Sequence, residues 1–578
     1  MNIKNFIAKK IKKSINLIGL SENLDPIIRH TQKKNLGDYQ ANGIIKIAKK
    51  NNLDPMYLAN RIISLIKNYK VFKQVYAVNP GFINFFINEK WLEKKINQKF
   101  YLPYCGINRH CKTKKIVVDY SSPNMSKDMH IGHLRSTVLG DVIVRLSEFL
   151  GHEVIRANHI GDWGTQFGMI IALCKEKTNI LKKNKINLKL LEKLYQQAKK
   201  KFDSDQQFAK KSFLYIKKLY EKDPETILIW KKIVNCTIQE HDKLYRKLNI
   251  TLTTKDIKGE SSYHKMIPDL ILDLKEKKIA VTRNNETIVL LNEFKNRAGN
   301  PMGIVIQKQD SIFLYATIDL ACLKYRCHIL KADRILYYTD IRQSQYFNQI
   351  KTIGIKAKFI SKNNNVEHHM FGMMLSKDKK PFKTRNGNNI KLSEVIKKAI
   401  NKARILTRKK QPNISHHKIN SIAKKIGIGA IKYADLSKHR MTDYIFDWEN
   451  MLSFEGNTAS YIQYTYTRIL SILKKNNINL KLKKQCIHLK NASEIELSLK
   501  LLQFEELINE VFELGLPHLL CLYLYKLSVI FSHFYEKHSI LHISNKNIKI
   551  SRLKLSLFTA KILKKGLNLL GIQTMNNM

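Results

Sequence analysis

Two histidines three positions apart are the residues of this chain best suited to chemistry on a phosphate. His130 and His133 enclose Ile131 and Gly132, and imidazoles at this spacing lie on one face of a helical turn. There they can hydrogen-bond phosphate oxygens and the charge that develops during phosphoryl or nucleotidyl transfer. Gly132 has no side chain, so a flat adenine can lie close to its backbone. The spacing favours a nucleotide site, although four residues alone leave open a purely structural pair of histidines.

The elements around this segment, called the HIGH turn here (residues 130–133), have the order that α/β folds use to bind nucleotides. Residues 116–118 are Ile-Val-Val and predict a strand, and residues 134–150 predict a long helix. A helix start offers free backbone N–H groups and a positive dipole end to a phosphate. A second strand is predicted at 153–157, followed by a glycine-rich turn. Further strands are predicted at 303–307 and 334–339, with a helix over 314–326 between them.

Length and composition favour a large protein with several cores and a polyanionic partner. The chain has 578 residues, and Lys+Arg is 102 against Asp+Glu 47, a formal net charge of +55. Such a field attracts nucleic acid, but the lysine excess accompanies abundant isoleucine and asparagine, so an AT-rich genome explains it equally well. The eight cysteines form no Cys-x-x-Cys, which disfavours a zinc ribbon or redox pair and fits a reducing cytosol.

The pattern along the chain predicts four regions. Residues 1–112 read as an α+β unit, 113–400 as the α/β core with a lysine-rich helical insertion at about 178–300, 401–455 as connecting helices and 456–578 as all-α. The basic N-terminus lacks the continuous apolar core of a signal peptide. The longest apolar stretch, 519–531, is too short to span a bilayer. We therefore expect a cytoplasmic protein without a membrane partner.

Several further segments, taken together with HIGH, resemble those of class I aminoacyl-tRNA synthetases and, more narrowly, bacterial-type arginyl-tRNA synthetases. They cover about 116–470 in the family's order, and no single one would be specific. The matching segments are SSPN at 121–124, HIGHLRST at 130–137, NHIGDWGTQFG at 158–168, YATIDL at 315–320, DIRQ at 340–343, HHMFG at 368–372, KYADLS at 432–437, FDW at 446–448 and FEGNTA at 454–459.

The resemblance implies an α/β, Rossmann-like class I catalytic core with an inserted helical region, an N-terminal α+β domain and a C-terminal all-α anticodon-binding domain. It implies that arginine and ATP give arginyl-adenylate and pyrophosphate, and that arginine then passes to the 3′ end of tRNA(Arg). ATP with Mg²⁺ is a substrate, no tightly bound metal or organic cofactor is expected, and the enzyme is expected to be a monomer. Members of the family typically require bound tRNA before they activate arginine.

The implied ATP site surrounds the HIGH turn and includes a later segment. Its residues are Asn124, Met129, His130, Gly132, His133, His369, Met370 and Phe371. The catalytic groups implied are His130 and His133 together with the cations Lys127, Lys383 and Arg385. The basic loop (residues 377–387) departs from the usual Lys-Met-Ser-Lys-Ser, because the second family lysine falls near Thr384. We expect Lys127, three residues before His130, to replace it; the alternative is a solvated turn residue.

A guanidinium is a planar group with five N–H donors, and a carboxylate satisfies it best. Tyr315 and Asp319 are four residues apart and would share a helix face. The resemblance assigns Tyr315, Asp319 and Gln343 to the arginine side chain, and Asn124, with Asp119 and Ser122, to the substrate's α-amino or carboxylate end. Helix packing for Tyr315, and a surface ion pair for Asp319, remain alternatives.

Aromatic and polar residues alternate at the start of the C-terminal region. Tyr461, Gln463 and Tyr464 are candidates for tRNA binding, since unpaired loop bases stack on aromatic rings; the alternative is a core stripe. His368 and His369 lack acid or cysteine partners at ligand spacing, so no metal site is predicted there.

Three other functions are alternatives to an arginine-specific enzyme. A cysteine-specific class I enzyme would show zinc-ligand cysteines, and glutamine- or glutamate-specific enzymes should lack Asp319 and Gln343 in these contexts. A non-catalytic tRNA-binding paralogue has no use for an intact HIGH turn. A Walker-type ATPase is disfavoured, because no G-x-x-x-x-G-K-[ST] occurs.

Overall fold

A computed structural model describes the chain except for residues 1, 22–23, 32, 178–185, 297, 309–312, 377, 381–389, 477–484, 539, 541–542 and 577–578. The chain forms two compact units. One consists of residues 1–109, 454–568 and 574–578, and the other of residues 110–453 and 569–573.

The N-terminal part of the first unit is an α+β structure. Its elements are α1 (Ile3–Leu17), β1 (Ile28–His30), β2 (Tyr39–Ala41), α2 (Ile44–Lys50), α3 (Pro55–Ile66), β3 (Phe72–Val78), β4 (Phe82–Ile87) and α4 (Glu89–Tyr101). The strands form an antiparallel sheet in the order β1-β2-β4-β3. Helix α1 buries isoleucines at 3, 7, 11 and 15, a spacing of four that places them on one face. Strands β3 and β4 pair as an antiparallel hairpin.

The second unit is built on a parallel sheet. Its first elements are β5 (Lys115–Asp119), α5 (Gly132–Leu150), β6 (Glu153–Ala157) and α6 (Thr165–Glu176). Strands β5 and β6 are parallel neighbours in register from Lys115↔Glu153 to Asp119↔Ala157. Helix α5 crosses over between them, as a parallel pair requires. This β–α–β unit presents the HIGH turn at the N-terminus of α5, whose first residue is Gly132.

Lysine-rich helices follow, and then three strands, of which the sequence predicted only the last. The elements are α7 (Leu188–Ser204), α8 (Gln206–Tyr220), α9 (Pro224–Lys247), α10 (Ile267–Glu276), β7 (Ala280–Arg283), β8 (Glu286–Lys295) and β9 (Pro301–Gln307). Strands β7, β8 and β9 form a separate antiparallel sheet. Asn284 and Asn285, with φ of 48° and 61°, supply the left-handed turn that a two-residue hairpin needs. The predicted strand at 303–307 therefore belongs to this sheet, outside the parallel one.

The parallel sheet is completed by later strands. The elements are α11 (Tyr315–Lys324), β10 (Arg334–Tyr337), α12 (Ser344–Lys356), β11 (Asn365–His368), β12 (Met374–Leu375), α13 (Leu392–Lys410), α14 (His416–Leu436), β13 (Tyr444–Ile445) and α15 (Trp448–Leu452). The sheet order is β11-β10-β5-β6, with every pair parallel. In such sheets ligands bind at the carboxyl ends of the strands.

The C-terminal part of the first unit is helical in every element described. Its helices are α16 (Ala459–Lys475), α17 (Ala492–Leu502), α18 (Phe504–Leu514), α19 (His518–Lys537) and α20 (Lys546–Leu569). Helix α19 includes the longest apolar stretch of the sequence. Among the described residues, no helix has the length and apolar character needed to cross a membrane.

Candidate active site

The two histidines of the HIGH turn lie against each other, with ring centroids 3.9 Å apart. The His130 backbone N–H donates to His133 Nδ1 (3.1 Å), and the Gly132 N–H donates to His130 Nδ1 (3.1 Å). Since His130 Nδ1 accepts, the neutral His130 ring carries its proton on Nε2 and can donate it to a ligand. His133 Nδ1 also lies 3.3 Å from the His130 carbonyl, so either nitrogen of that ring can carry the proton. Burial, with His130 and His241 adding, lowers the pKa of His133 to about 3. Burial, with Lys127 adding, also lowers the pKa of His130. Both imidazoles are thus neutral donors at neutral pH.

Gly132 is exposed at the start of α5. A Cβ at this position would lie 2.9 Å from His130 Cε1 and 3.0 Å from His130 Nδ1. Any side chain here would therefore push the His130 ring away, so the glycine keeps the turn open and the imidazole in place.

The chain that follows the basic loop is paired with the HIGH turn. The Ile131 N–H donates to the Ile390 carbonyl (3.0 Å), and the Leu392 N–H donates to the Met129 carbonyl (2.9 Å). Lys383 and Arg385, two of the predicted catalytic cations, lie outside the described residues. The pairing places Ile390 and Leu392, which follow the basic loop in the sequence, directly beside the HIGH turn.

Lys127 and His130 line the same cleft, which has a volume of about 310 Å³ and is also lined by Asp128, Tyr195 and Lys391. The Lys127 ammonium lies 4.3 Å from the centre of the Tyr195 ring. Lys391 contacts the carboxylates of Asp128 and Glu192. Two cations and the His130 ring therefore line one cavity, together with the carboxylates of Asp128 and Glu192 that pair with Lys391.

A second cluster surrounds Asp319, on the face of α11 that also carries Tyr315. Tyr346 OH donates to Asp319 Oδ2 (2.5 Å), and His159 Nε2 lies 3.6 Å from Oδ1. The Tyr315 ring is 63% exposed and packs 5.0 Å from the Tyr346 ring. Burial alone would lower the pKa of His159, but Asp319 and Asp119 outweigh it and raise that pKa. Each oxygen of the Asp319 carboxylate thus has a neighbour, Tyr346 or His159, and the exposed Tyr315 lies on the same helix face.

Sequence reasoning missed Tyr346 and Glu260. Tyr346 lies in the first turn of α12, three residues after Gln343, so its position next to a predicted binding residue was a usable signal. Glu260 lies in an unremarkable polar segment that gave none. Burial, opposed by His159 and reinforced by Asp319 and Asp162, raises the pKa of Glu260 to about 7. Gln343 itself is exposed at the N-terminus of α12.

The residues after β5 form a strained, hydrogen-bonded turn. Asp119 is buried and accepts from Arg326 Nη2 (2.6 Å) and Ser122 Oγ (2.8 Å). Ser122 has a φ of 43°, a left-handed conformation that is costly for serine and is found mostly at functional sites. Asn124 is exposed beside Gly161, where a Cβ would come 2.3 Å from its Oδ1. The structure brings Asp119 and Ser122 together, while the Asp119 carboxylate already has a buried arginine partner.

Comparisons with known proteins extend over the whole chain. The family model described as "tRNA synthetases class I (R), catalytic domain" matches residues 104–448, the "DALR anticodon binding domain" matches 462–578, and the "Arginyl tRNA synthetase N terminal domain" matches 2–87. The chain belongs to the arginyl-tRNA synthetase family. The class I fold, the family and the ligase class expected from the sequence are thereby confirmed.

Individual relatives agree with this membership. The arginine–tRNA ligases of Buchnera aphidicola (subspecies Acyrthosiphon pisum, strain Tuc7) and Haemophilus influenzae (strain 86-028NP) are 54% and 47% identical, each over 100% of both chains. The crystal structure of the Plasmodium falciparum arginyl-tRNA synthetase is 31% identical, with a TM-score of 0.87, over 100% of this chain and 99% of that one. The Thermus thermophilus enzyme, 20% identical with a TM-score of 0.82, shares the fold.

In this arginyl-tRNA synthetase, His369, which follows β11, belongs to a buried network of hydrogen bonds. His369 bridges Tyr338 OH (2.9 Å, at Nδ1) and Glu367 Oε2 (2.7 Å, at Nε2), and Arg334 donates two hydrogen bonds to Glu367. Burial would raise the pKa of Glu367, but hydrogen bonds from His369 and Arg334 outweigh it and lower that pKa to about 2. His369 therefore supports this edge of the sheet from inside. Among the described residues, no three His, Cys, Asp or Glu side chains are grouped to hold a metal ion.

Met370 and Phe371 continue this segment. The Met370 carbonyl accepts from Arg440 Nη1 (2.7 Å), and Phe371 pairs with Asp340 through a backbone bridge and is itself buried. Both therefore lie at the carboxyl ends of β10 and β11, where an α/β sheet binds its nucleotide.

The three candidate tRNA-binding residues of the arginyl-tRNA synthetase helical region have different environments on α16. Tyr464 is 44% exposed, whereas Gln463 is fully buried. Tyr461 is partly buried against Tyr525, with ring centroids 5.7 Å apart. The buried Gln463 amide cannot contact RNA without rearrangement. Of these three residues, Tyr461 and Tyr464 are therefore the ones whose side chains reach the surface.

Tyr346 offers the first test of the pocket. Tyr346→Phe is expected to raise KM for arginine about 10-fold in this arginyl-tRNA synthetase, because a hydrogen bond to a charged group contributes roughly 1.5–3 kcal/mol. KM for ATP should stay within twofold. Steady-state pyrophosphate exchange measures both constants. Tyr444→Phe is the matched control, because it removes a hydroxyl that donates to a different carboxylate, Asp435 Oδ2 (2.9 Å). An unchanged arginine KM in Tyr346→Phe would show that Asp319 needs no tyrosine partner.

Proposed function

We propose that this protein is an arginine–tRNA ligase that activates L-arginine with ATP and transfers it to the 3′ end of tRNA(Arg). The observation that carries the substrate choice is Asp319, a carboxylate held by Tyr346 and His159 next to the carboxyl end of β6. A guanidinium can satisfy such a carboxylate in bidentate form, and an ammonium cannot. The HIGH turn supplies the chemistry of activation in the same unit.

The first step is the attack of the arginine carboxylate on the α-phosphorus of ATP, with pyrophosphate leaving. We assign the ring N–H donors of His130 and His133, with Lys127, Lys383 and Arg385, to the charge that develops on the phosphate oxygens. ATP enters with Mg²⁺ as a substrate. Adenine lies over Gly132. The residues that shape its pocket are Met129, Asn124, Met370 and Phe371, and the buried His369 supports the pocket through its hydrogen bonds to Tyr338 and Glu367.

The arginine side chain lies between Tyr315, Asp319 and Gln343. Its α-amino or carboxylate end is held by Asn124 and Ser122, with Asp119 setting the turn through Arg326 and Ser122. Glu260, with a pKa raised to about 7, adds a carboxyl group near Asp319 that is charged in part of the population at neutral pH. In the second step, the terminal ribose hydroxyl of tRNA attacks the carbonyl of the adenylate and AMP leaves.

The remaining regions serve tRNA binding. We assign residues 1–112 to the tRNA elbow and residues 456–578 to the anticodon. Residues 113–400 are assigned to catalysis, with the insertion at about 178–300, and residues 401–455 to the connecting helices. Tyr461 and Tyr464 are the candidates for stacking on unpaired bases, and Gln463 supports them from the core. The enzyme is proposed to act as a cytoplasmic monomer without a membrane partner.

Arginine-dependent ATP–pyrophosphate exchange tests the proposal. Exchange should require arginine and tRNA(Arg) together, and lysine or glutamate should not replace arginine. The ammonium of lysine leaves acceptors around Asp319 unpaired. We therefore expect kcat/KM for lysine to be lower than that for arginine by a factor on the order of 10⁴. Tight tRNA binding with no exchange for any amino acid would instead identify a non-catalytic tRNA-binding protein.

A further inference from the structure

Helix α7, in the region proposed as the insertion, lies against the turn that precedes the HIGH histidines. Its apolar face buries Leu188, Leu191, Leu194 and Ala198. Glu192 and Tyr195, three residues apart, extend from the same side of the helix and contact Asp128 and Lys127 respectively. One turn of helix therefore contacts two consecutive residues just before His130.

Glu192 uses both carboxylate oxygens. Its Oε1 accepts from the Asp128 backbone N–H (3.0 Å), and its Oε2 accepts from Lys391 Nζ (2.7 Å). Lys391 also contacts the Asp128 carboxylate, and it follows Ile390, whose carbonyl accepts from the Ile131 N–H. A single acidic side chain thus links α7, the HIGH turn and the chain that emerges from the basic loop.

Tyr195 supplies the second contact. Its ring lies 4.3 Å from the Lys127 ammonium, close enough for the negative face of the ring to attract and orient the charge. Tyr195, Glu192 and Lys127 line the cleft that also contains His130. The direction in which Lys127 points is therefore set by a residue of α7.

We propose that Glu192 and Tyr195 are positioning residues for the ATP phosphates, acting through Lys127 and Lys391. This inference rests on the proposed function and gives the α7 part of the insertion a task in arginine activation. The side chains of Glu192, Asp128 and Lys391 are 26%, 24% and 37% exposed, and ion pairs this accessible to water add little to stability. We therefore expect substitution of Glu192 or Lys391 to change kcat/KM for ATP more than the melting temperature.

The test is arginine- and tRNA-dependent pyrophosphate exchange by the full-length chain, with KM for ATP and for arginine and kcat measured separately. Tyr195→Leu and Glu192→Gln are each expected to lower kcat/KM for ATP about 3- to 10-fold, with KM for arginine unchanged. Tyr195→Phe keeps the ring and should stay within twofold of the unaltered protein. Lys391→Met should behave like Glu192→Gln, and Lys391→Arg should restore most of the loss.

Asp203→Asn is the matched control, because Asp203 lies on the same helix and pairs with the exposed Lys199 (2.6 Å) away from the cleft. It should leave all constants within twofold. The proposal is overturned if Tyr195→Leu and Glu192→Gln match the control. It is equally overturned if they raise KM for arginine and ATP in parallel with a lower melting temperature, which would indicate general disruption. No exchange by the unaltered chain would overturn the proposed function, and this inference with it.

Discussion

Asp319→Asn is expected to lower kcat/KM for arginine about 10³-fold in pyrophosphate exchange while leaving KM for ATP within threefold. The substitution preserves shape but removes the charge and one acceptor that face the guanidinium. Breaking a hydrogen-bonded charge pair in a partly buried site costs roughly 4 kcal/mol, which is a factor of about 10³ in kcat/KM. Tyr346 would lose its charged partner at the same time, so the pocket would also lose its rigidity.

Asp273→Asn is the matched control for this prediction. Asp273 contacts Lys324 at the other end of α11 (2.9 Å), so its removal disturbs the same helix without touching the pocket. It should leave kcat/KM for arginine within threefold. If Asp319→Asn retained arginine activation within tenfold, the guanidinium would have to bind elsewhere. If it raised KM for ATP to the same extent, Asp319 would be supporting the fold of the unit.

The parts of the site that the sequence predicted are local in the chain. The HIGH turn lies within one β–α–β unit, and Tyr315 and Asp319 share one helix, so strand, turn and helix patterns were sufficient to place them. Of the antiparallel sheet, only the third strand was predicted, although the Asn284-Asn285 pair can adopt the left-handed turn that joins the first two.

The parts that the sequence could not predict depend on contacts between distant segments. Arg326 meets Asp119 across 207 positions, and Lys391 meets Asp128 across 263. Neither pairing follows from periodicity, because an isolated Arg or Lys in a chain with 102 of them carries no information about its partner. The burial of Gln463 likewise depends on which face of α16 packs inward.

The contact between Lys127 and Tyr195 changes the interpretation of Lys127. From the sequence, Lys127 could be a solvated turn residue with no role. In the fold it lies over an aromatic ring in the cleft of His130, so its ammonium is directed rather than free to sample solvent. That geometry is consistent with a replacement for the second lysine that the basic loop lacks.

Lys127→Ala is therefore expected to reduce the kcat of pyrophosphate exchange about 10²- to 10³-fold, with KM for arginine unchanged. A donor or cation aimed at charge that develops in the transition state contributes roughly 2.7–4 kcal/mol. Lys127→Met keeps most of the packing on Tyr195 and should lose nearly as much activity as alanine, since the ammonium is the active part. Lys193→Ala removes an exposed cation from α7 and should stay within twofold. A Lys127→Ala enzyme with unchanged adenylate formation would return Lys127 to the solvated-turn alternative, and the cations Lys383 and Arg385 of the basic loop would then have to supply the charge alone.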